Sequence, residues 1–110
     1  MEQSLKRVRA GEIDPSCLEC GGILKSDTIS FGQALVPEVI DRALQVSEES
    51  DVLLAVGSTL SVFPVANCVP RAKANGATVI IVNGDETGMD RYGDHLLVGQ
   101  IGEILPALVR

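Results

Sequence analysis

Tryptophan is absent from this chain, and only Phe31, Phe63 and Tyr92 are aromatic. A core without large rings must be assembled from Val, Ile, Leu and Ala, and 45% hydrophobic content over 110 residues is enough for one compact unit. Long apolar runs are missing too. None approaches the roughly 18 residues that a membrane-spanning helix needs, and no basic-then-apolar signal segment leads the chain. The cytoplasm is therefore the expected compartment, with no membrane partner. Positive charge is scarce: nine Lys and Arg stand against fifteen Asp and Glu, a formal net charge of −6. That balance argues against nucleic acid as a direct partner. Lys6, Arg7 and Arg9 do cluster near the start, the ordinary composition of a solvated helix face.

Histidine occurs once, as His95, and cysteine three times. Three cysteines do not make a disulfide framework, so metal ligation or core packing is indicated. Cys17 and Cys20 stand in a Cys-x-x-Cys followed by Gly21-Gly22. This spacing lets two thiolates grip one tetrahedral zinc while the glycines bend the backbone around it. A structural zinc takes four ligands, and only two are visible. Cys68 lies far along the chain inside a predicted helix, where a small buried apolar role is expected.

What is present is organised around apolar runs that end in glycine. Val52 to Val56 reads as a buried strand of a parallel sheet and breaks into Gly57-Ser58-Thr59. In open α/β sheets the ligand lies beyond the carboxyl ends of such strands. Gly57 permits a tight turn, and Ser58 and Thr59 would place hydroxyls and free N–H groups at a helix start, where phosphate is readily held. The same tripeptide is also ordinary strand-to-helix punctuation. Thr78 to Val82 is a second apolar run, and the helix-like segment between the two forces a crossover and parallel pairing. Asn83 then stands at a strand's carboxyl end, suited to a ribose hydroxyl, although Asn83-Gly84 is also a common tight turn.

The remaining punctuation predicts a helix over residues 1–10, a knuckle at 15–22 and a short strand Thr28–Phe31. Pro37 opens a helix to about residue 48, with Ile40, Ala43 and Leu44 on one face. The strand 51–56 comes next. Pro64 should open a second helix that Pro70 bends or interrupts before Gly76 stops it. Strand 78–82, a turn-rich loop through Gly93, a strand near 95–98 and a helix from 101 to 109 bearing Ile104, Leu105 and Leu108 complete the chain.

Taken in order, Cys17-Leu18-Glu19-Cys20-Gly21-Gly22-Ile23-Leu24-Lys25, Phe31-Gly32-Gln33, Gly57-Ser58-Thr59-Leu60-Ser61-Val62 and Val82-Asn83 resemble the C-terminal half of the sirtuin family of NAD-dependent protein deacylases. Asp94 to Gly99 and Glu103 to Pro106 resemble the family's last strand and helix, so the similarity covers nearly everything beyond Ser16. The resemblance implies an α/β fold: the C-terminal half of a Rossmann-like parallel sheet with flanking helices, plus half of a small zinc-knuckle module. Residues 1–26 would be the partial zinc module and 27–110 the C-terminal part of the NAD-binding deacylase domain.

The same resemblance implies site residues. Gly57, Ser58, Thr59, Asn83, Gly84 and Ile101 would bind NAD as co-substrate, with Gln100 to Gly102 bordering the adenine through backbone. Ile29 would offer its carbonyl to the acyl-lysine amide, Phe31 would pack on the lysine stem and Gly32 would let the backbone come close, with the substrate peptide added as a strand. Cys17 and Cys20 would be zinc ligands completed by two cysteines upstream of Met1. The family's Gly-Ala-Gly phosphate loop, its Gln-Asn-x-Asp segment and its catalytic His-Gly do not occur, and His95 is in the wrong place, so no catalytic residue is assigned.

Met1 is thus an unexpected start, and a gene fragment, a mis-assigned internal methionine or a deliberate truncation all stay open. The expected partners are an acylated-lysine protein, the missing N-terminal half and further copies of the chain through an uncovered sheet edge. The chain also departs from the commonest family pattern: Gln33 replaces Glu, Ser26 replaces Pro, and Ser58-Thr59 replaces Thr-Ser. A non-catalytic NAD or ADP-ribose binding module and a non-functional remnant are the alternatives.

Overall fold

The computed structural model describes residues 1–109. It divides into two compact units, Met1–Ala34 and Leu35–Arg110, so residues 27–34 cluster with the N-terminal unit.

The N-terminal unit begins with helix α1, Glu2–Arg9. Glu2 sits in its first turn and Lys6, Arg7 and Arg9 in its last, the arrangement that complements the helix dipole. Arg7 anchors the segment between the helix and the cysteines. Its guanidinium grips Glu12 with two hydrogen bonds of 2.8 and 2.7 Å and donates a third, of 2.7 Å, to the Ser16 carbonyl. An isolated antiparallel bridge joins Ser16 to Ile23 across the cysteine knuckle.

The predicted strand Thr28–Phe31 does not form. A strand needs a partner for its backbone groups, and no strand pairs with this segment among the described residues. Local side-chain bonds hold it instead: Lys25 Nζ donates to the Ser26 and Thr28 carbonyls at 2.9 Å each, and the Ser26 and Thr28 hydroxyls lie 3.0 Å apart.

The larger unit starts with α2, Pro37–Glu49, which has Pro at its first position and buries Leu44 and Ser47. Strand β1 is Val52–Val56, β2 is Thr78–Asn83 and β3 is His95–Val98. All pair in parallel in the order β1-β2-β3, with Val52 opposite Thr78 and Ile80 opposite His95. Helix α3, Cys68–Ala74, makes the crossover after a short 3-10 turn, Val65–Asn67, and α4, Ile101–Leu108, closes the chain. Helix α3 packs on β1 and β2, α2 packs on α3, and α4 touches β2. No helix among the described residues is long and apolar enough to cross a membrane.

Proline shapes α3 differently from the expectation, and glycine as expected. The break falls before Pro70, between the 3-10 turn and α3, and Pro70 is the third residue of the helix. There its missing N–H costs nothing, because the first four helical N–H groups have no intrahelical partner. Gly76 does end the helix. It adopts φ +89°, its N–H donates to the Lys73 carbonyl at 3.1 Å, and the Ala77 N–H donates to Ala72 at 3.0 Å. This pair of bonds is the Schellman closure that satisfies terminal carbonyls.

The core lies between α3 and one face of the sheet. Ala66, Val69, Val79, Ile81 and Met89 are buried, with Leu53, Ala55, Leu60 and Tyr92 packed against them. Small aliphatic residues fill it as the composition requires, and Met89 is an unforeseen member. Val82, which alternates to the other face of β2, is also fully buried.

Asp94 ties β2 to the start of β3. Its N–H donates to the Val79 carbonyl at 2.8 Å, its Oδ2 accepts the Val79 N–H at 2.8 Å, and its Oδ1 pairs with Lys73 Nζ from α3. The outer edge of β1 has no paired strand among the described residues, and Val52 and Leu54 are about half exposed there.

Candidate functional site

The three strands run parallel, so their carboxyl ends open on one rim. At that rim the backbone ladder continues one residue past β1 and β3: the Gly57 N–H donates to the Val82 carbonyl at 2.9 Å, and the Gly99 N–H donates to the Asn83 carbonyl at 3.0 Å. Gly57, Asn83 and Gly99 are therefore neighbours. Gly57 has φ +64°, a left-handed turn that a side chain would strain, and a Cβ built there would come within 3.2 Å of Ile101 Cδ1. The start of α4 thus closes over the glycine turn. Of the residues singled out from sequence, Gly57, Asn83, Gly84 and Ile101 meet at this rim.

Ser58 and Thr59 come directly after Gly57 and are exposed, but not at a helix start. The first helical residue is Val65, and an irregular loop intervenes. The expectation of a helix opening at Ser58-Thr59 is thereby corrected. The loop satisfies its own polar groups instead: Ser58 Oγ accepts the Leu60 N–H at 3.1 Å and the Thr59 and Ser61 hydroxyls lie 2.8 Å apart. Leu60, at φ +53°, turns its side chain against the core. The helix N-terminus that does reach the rim is that of α4, with Gln100 at its cap.

Asn83 is half-buried, and its Nδ2 donates to the Asp85 carbonyl at 3.1 Å. Its Oδ1 takes no donor among the described residues, so it can accept from a ligand hydroxyl. Gly99, read in the sequence as the close of the last strand and not as a site residue, also stands at this rim, and Val98-Gly99 repeats the strand-then-glycine signal of Val56-Gly57.

Beneath the loop lies an apolar cleft of about 220 Å³, walled by Leu53, Ala55, Leu60, Val65 and Cys68. Cys68 was expected to be a buried core residue. It is only half-buried, because as the first residue of α3 it borders this cleft rather than the packed face.

The remaining candidates belong to the N-terminal unit. Phe31 is almost fully exposed, Ile29 partly so, and Gly32 sits at φ +83° in a turn closed by the Gln33 N–H donating to Ser30 at 3.0 Å. In the knuckle, Cys17 N–H donates to the Gly22 carbonyl and Gly21 N–H to the Cys17 carbonyl, both at 2.9 Å. The N–H groups of Cys20 and Glu19, then the Cys20 side chain, hold the Cys17 thiol below the usual thiol range, and the Arg7 charge adds to this. Two soft sulfur donors, one of them stabilised as thiolate, fit half of a tetrahedral zinc site. Among the described residues no third Cys, His, Asp or Glu joins them.

Comparison with known proteins gives the family and the fold. The sequence profile of the Sir2 family matches residues 1–64. The chain is 42% identical over 110 residues to NAD-dependent protein deacetylase 2 of Streptomyces coelicolor, covering all of this chain and 46% of that protein. Among solved structures it is similar to Sir2Af2 bound to a myristoylated histone peptide, with TM-score 0.76 and 33% identity over 98% of this chain and 46% of the other. It is also similar to a Sir2 homologue–NAD complex, with TM-score 0.74 and 36% identity over 87% of this chain and 38% of the other. The chain spans under half the length of each.

Proposed function

The chain belongs to the Sir2 family, and from that premise we propose that it supplies the adenosine-ribose and acyl-lysine binding parts of an NAD-dependent protein deacylase and does not turn over alone. The observation that carries this reading is the meeting of Gly57, Asn83 and Ile101 at the carboxyl rim of a parallel sheet. Asn83 Oδ1 is placed to accept a ribose hydroxyl, Gly57 and Gly84 leave the backbone approachable, and Ser58 and Thr59 add exposed hydroxyls. The bound-NAD structure of a relative supports NAD as the ligand of this rim.

The acyl-lysine side rests on Ile29, Phe31 and Gly32. An exposed Phe31 suits a lysine's aliphatic stem, and the Ile29 carbonyl, which takes no donor among the described residues, suits its amide N–H. The relative that holds a myristoylated histone peptide supports that substrate class. Cys17 and Cys20 supply half of a zinc site, with two further thiolates from elsewhere in the complete protein; the metal, when bound, braces the knuckle and takes no part in the chemistry.

The general base also comes from elsewhere. His95 pairs with Ile80 at the amino end of β3, whereas Asn83 pairs with Val98 at the carboxyl end, so the histidine lies at the far end of the strand from the rim. These residues contribute proximity and orientation rather than proton transfer.

Titration of the isotope-labelled chain with ADP-ribose tests the reading. The expected result is weak, saturable movement of the amide resonances of Gly57, Ser58, Asn83 and Ile101. Movement confined to His95 and its neighbours would count against it.

A further inference from the structure

The sequence contains Asn-Gly twice, at Asn75-Gly76 and Asn83-Gly84, and the fold treats the two pairs in opposite ways. Asn-Gly is the dipeptide most open to succinimide chemistry, because glycine offers no side chain to hinder attack of its nitrogen on the asparagine amide. At Asn75 every group needed for that attack is engaged. The Gly76 N–H donates to Lys73 as part of the helix closure, and Asn75 Nδ2 donates to the Arg71 carbonyl at 2.8 Å. The Asn75 N–H is itself shared between Arg71 and Ala72, at 3.3 and 3.2 Å.

At Asn83 the nucleophile is free. Among the described residues no acceptor takes the Gly84 N–H, Gly84 is exposed, and a Cβ placed on it would meet nothing within 4 Å. The Asn83 amide keeps one bond, 3.1 Å long, to the carbonyl of Asp85 in the same exposed turn.

We propose that Asn83-Gly84 is a self-modification site, converting in the folded protein to isoaspartate and aspartate while Asn75-Gly76 is protected. The Gly84 nitrogen attacks Asn83 Cγ and gives up its proton to solvent; the Cγ–Nδ2 bond breaks and ammonia leaves, which closes a succinimide. Water then opens the ring. Opening at the main-chain carbonyl gives isoaspartate, and opening at Cγ gives aspartate. No oxidant or reductant is involved.

The isoaspartate product carries the chain through Cγ and turns the former main-chain carbonyl of Asn83, the acceptor of the Gly99 N–H, into part of a carboxylate. Both products add a negative charge at the rim and remove the Asn83 amide. On the reading that this rim binds NAD, ageing at Asn83 lowers affinity for an anionic dinucleotide.

The test is peptide mapping by mass spectrometry with isoaspartyl methyltransferase labelling, on the full chain incubated at mildly alkaline pH, folded and in denaturant. In denaturant both pairs are expected to convert. In the folded chain conversion at Asn83 is expected to persist and that at Asn75 to be lost. Gly84→Ala, which the open surroundings accommodate, is expected to suppress conversion at Asn83 with the circular dichroism of the fold unchanged. Equal conversion of the two pairs in the folded chain, or an intact Asn83 there, or unchanged conversion in Gly84→Ala, would overturn the proposal. None of these readouts depends on NAD binding, so failure of the functional reading leaves them standing.

Discussion

Gly57 and Ile101 meet at the rim of the sheet so closely that a Cβ on Gly57 would lie 3.2 Å from Ile101 Cδ1. Gly57 directly follows β1 and Ile101 begins α4, so this contact braces the last helix against the first strand's turn. The glycine is required twice, by its φ of +64° and by the isoleucine above it.

Gly57→Ala is therefore expected to destabilise the chain by about 1–2 kcal/mol through the left-handed backbone alone, with crowding of Ile101 added. Gly102→Ala, facing open space on α4, is the control and should stabilise by up to about 1 kcal/mol. Urea unfolding of the two variants checks both signs. Ile101→Ala in the Gly57→Ala background should recover only the crowding part.

Asp94 gives the larger unit a predictable acid response. Its carboxyl is held below the ordinary range first by Lys73, then by the Val79 N–H, with smaller help from the Lys73 and His95 charges. A depressed folded value means that its stabilisation is complete above the unfolded value near 3.8 and is lost as pH falls through the lower folded one. Asp94→Asn should lower the urea midpoint at neutral pH, and the difference from the parent should shrink as pH drops below that window. Lys73 and Asp94 are both substantially solvent-exposed, so high salt should weaken the effect.

The parallel sheet, most of its helix positions and the rim residues Gly57 and Asn83 were legible because each depends on local rules, whereas Gly84 and Ile101 came with the family resemblance. Val52–Val56 and Thr78–Asn83 are continuous apolar runs, and Gly57, Gly76 and Asn83 punctuate them where the strands and α3 end. What escaped the sequence depends on partners. Thr28–Phe31 has the composition of a strand yet pairs with none, so its shape comes from the Lys25 and Ser26 side chains. The start of the crossover helix could not be placed from Pro64 and Pro70 alone, because either proline is acceptable in a first turn and only the packing of Ala66 and Val69 on the sheet selects Cys68. The closure of Ile101 over Gly57 is a contact between residues far apart in sequence that no periodicity encodes.

Zinc should reveal the knuckle as a half-site. Two thiolates leave a tetrahedral ion with open positions, so one chain is expected to bind zinc weakly, or two chains to share one ion through Cys17 and Cys20 of each. Native mass measurement during zinc titration distinguishes these from a tight ion on a single chain, which would require further ligands in that chain. Cys20→Ser should abolish either mode.

The free edge of β1 should make the chain associate. Val52 and Leu54 expose apolar surface along an edge that no strand pairs among the described residues, a template for another strand. Sedimentation is expected to show concentration-dependent association that Leu54→Lys reduces, and a monomer at high concentration in the parent would count against this edge.

Release of nicotinamide coupled to deacylation of an acyl-lysine peptide, measured on this chain alone and on the chain joined in frame to the N-terminal half of a Sir2 relative, tests the central claim most directly. The chain alone should show no turnover, the joined protein should show it, and Asn83→Ala in the joined protein should raise the NAD concentration required. Turnover by the chain alone that disappears in His95→Ala would contradict the account and make His95 the base.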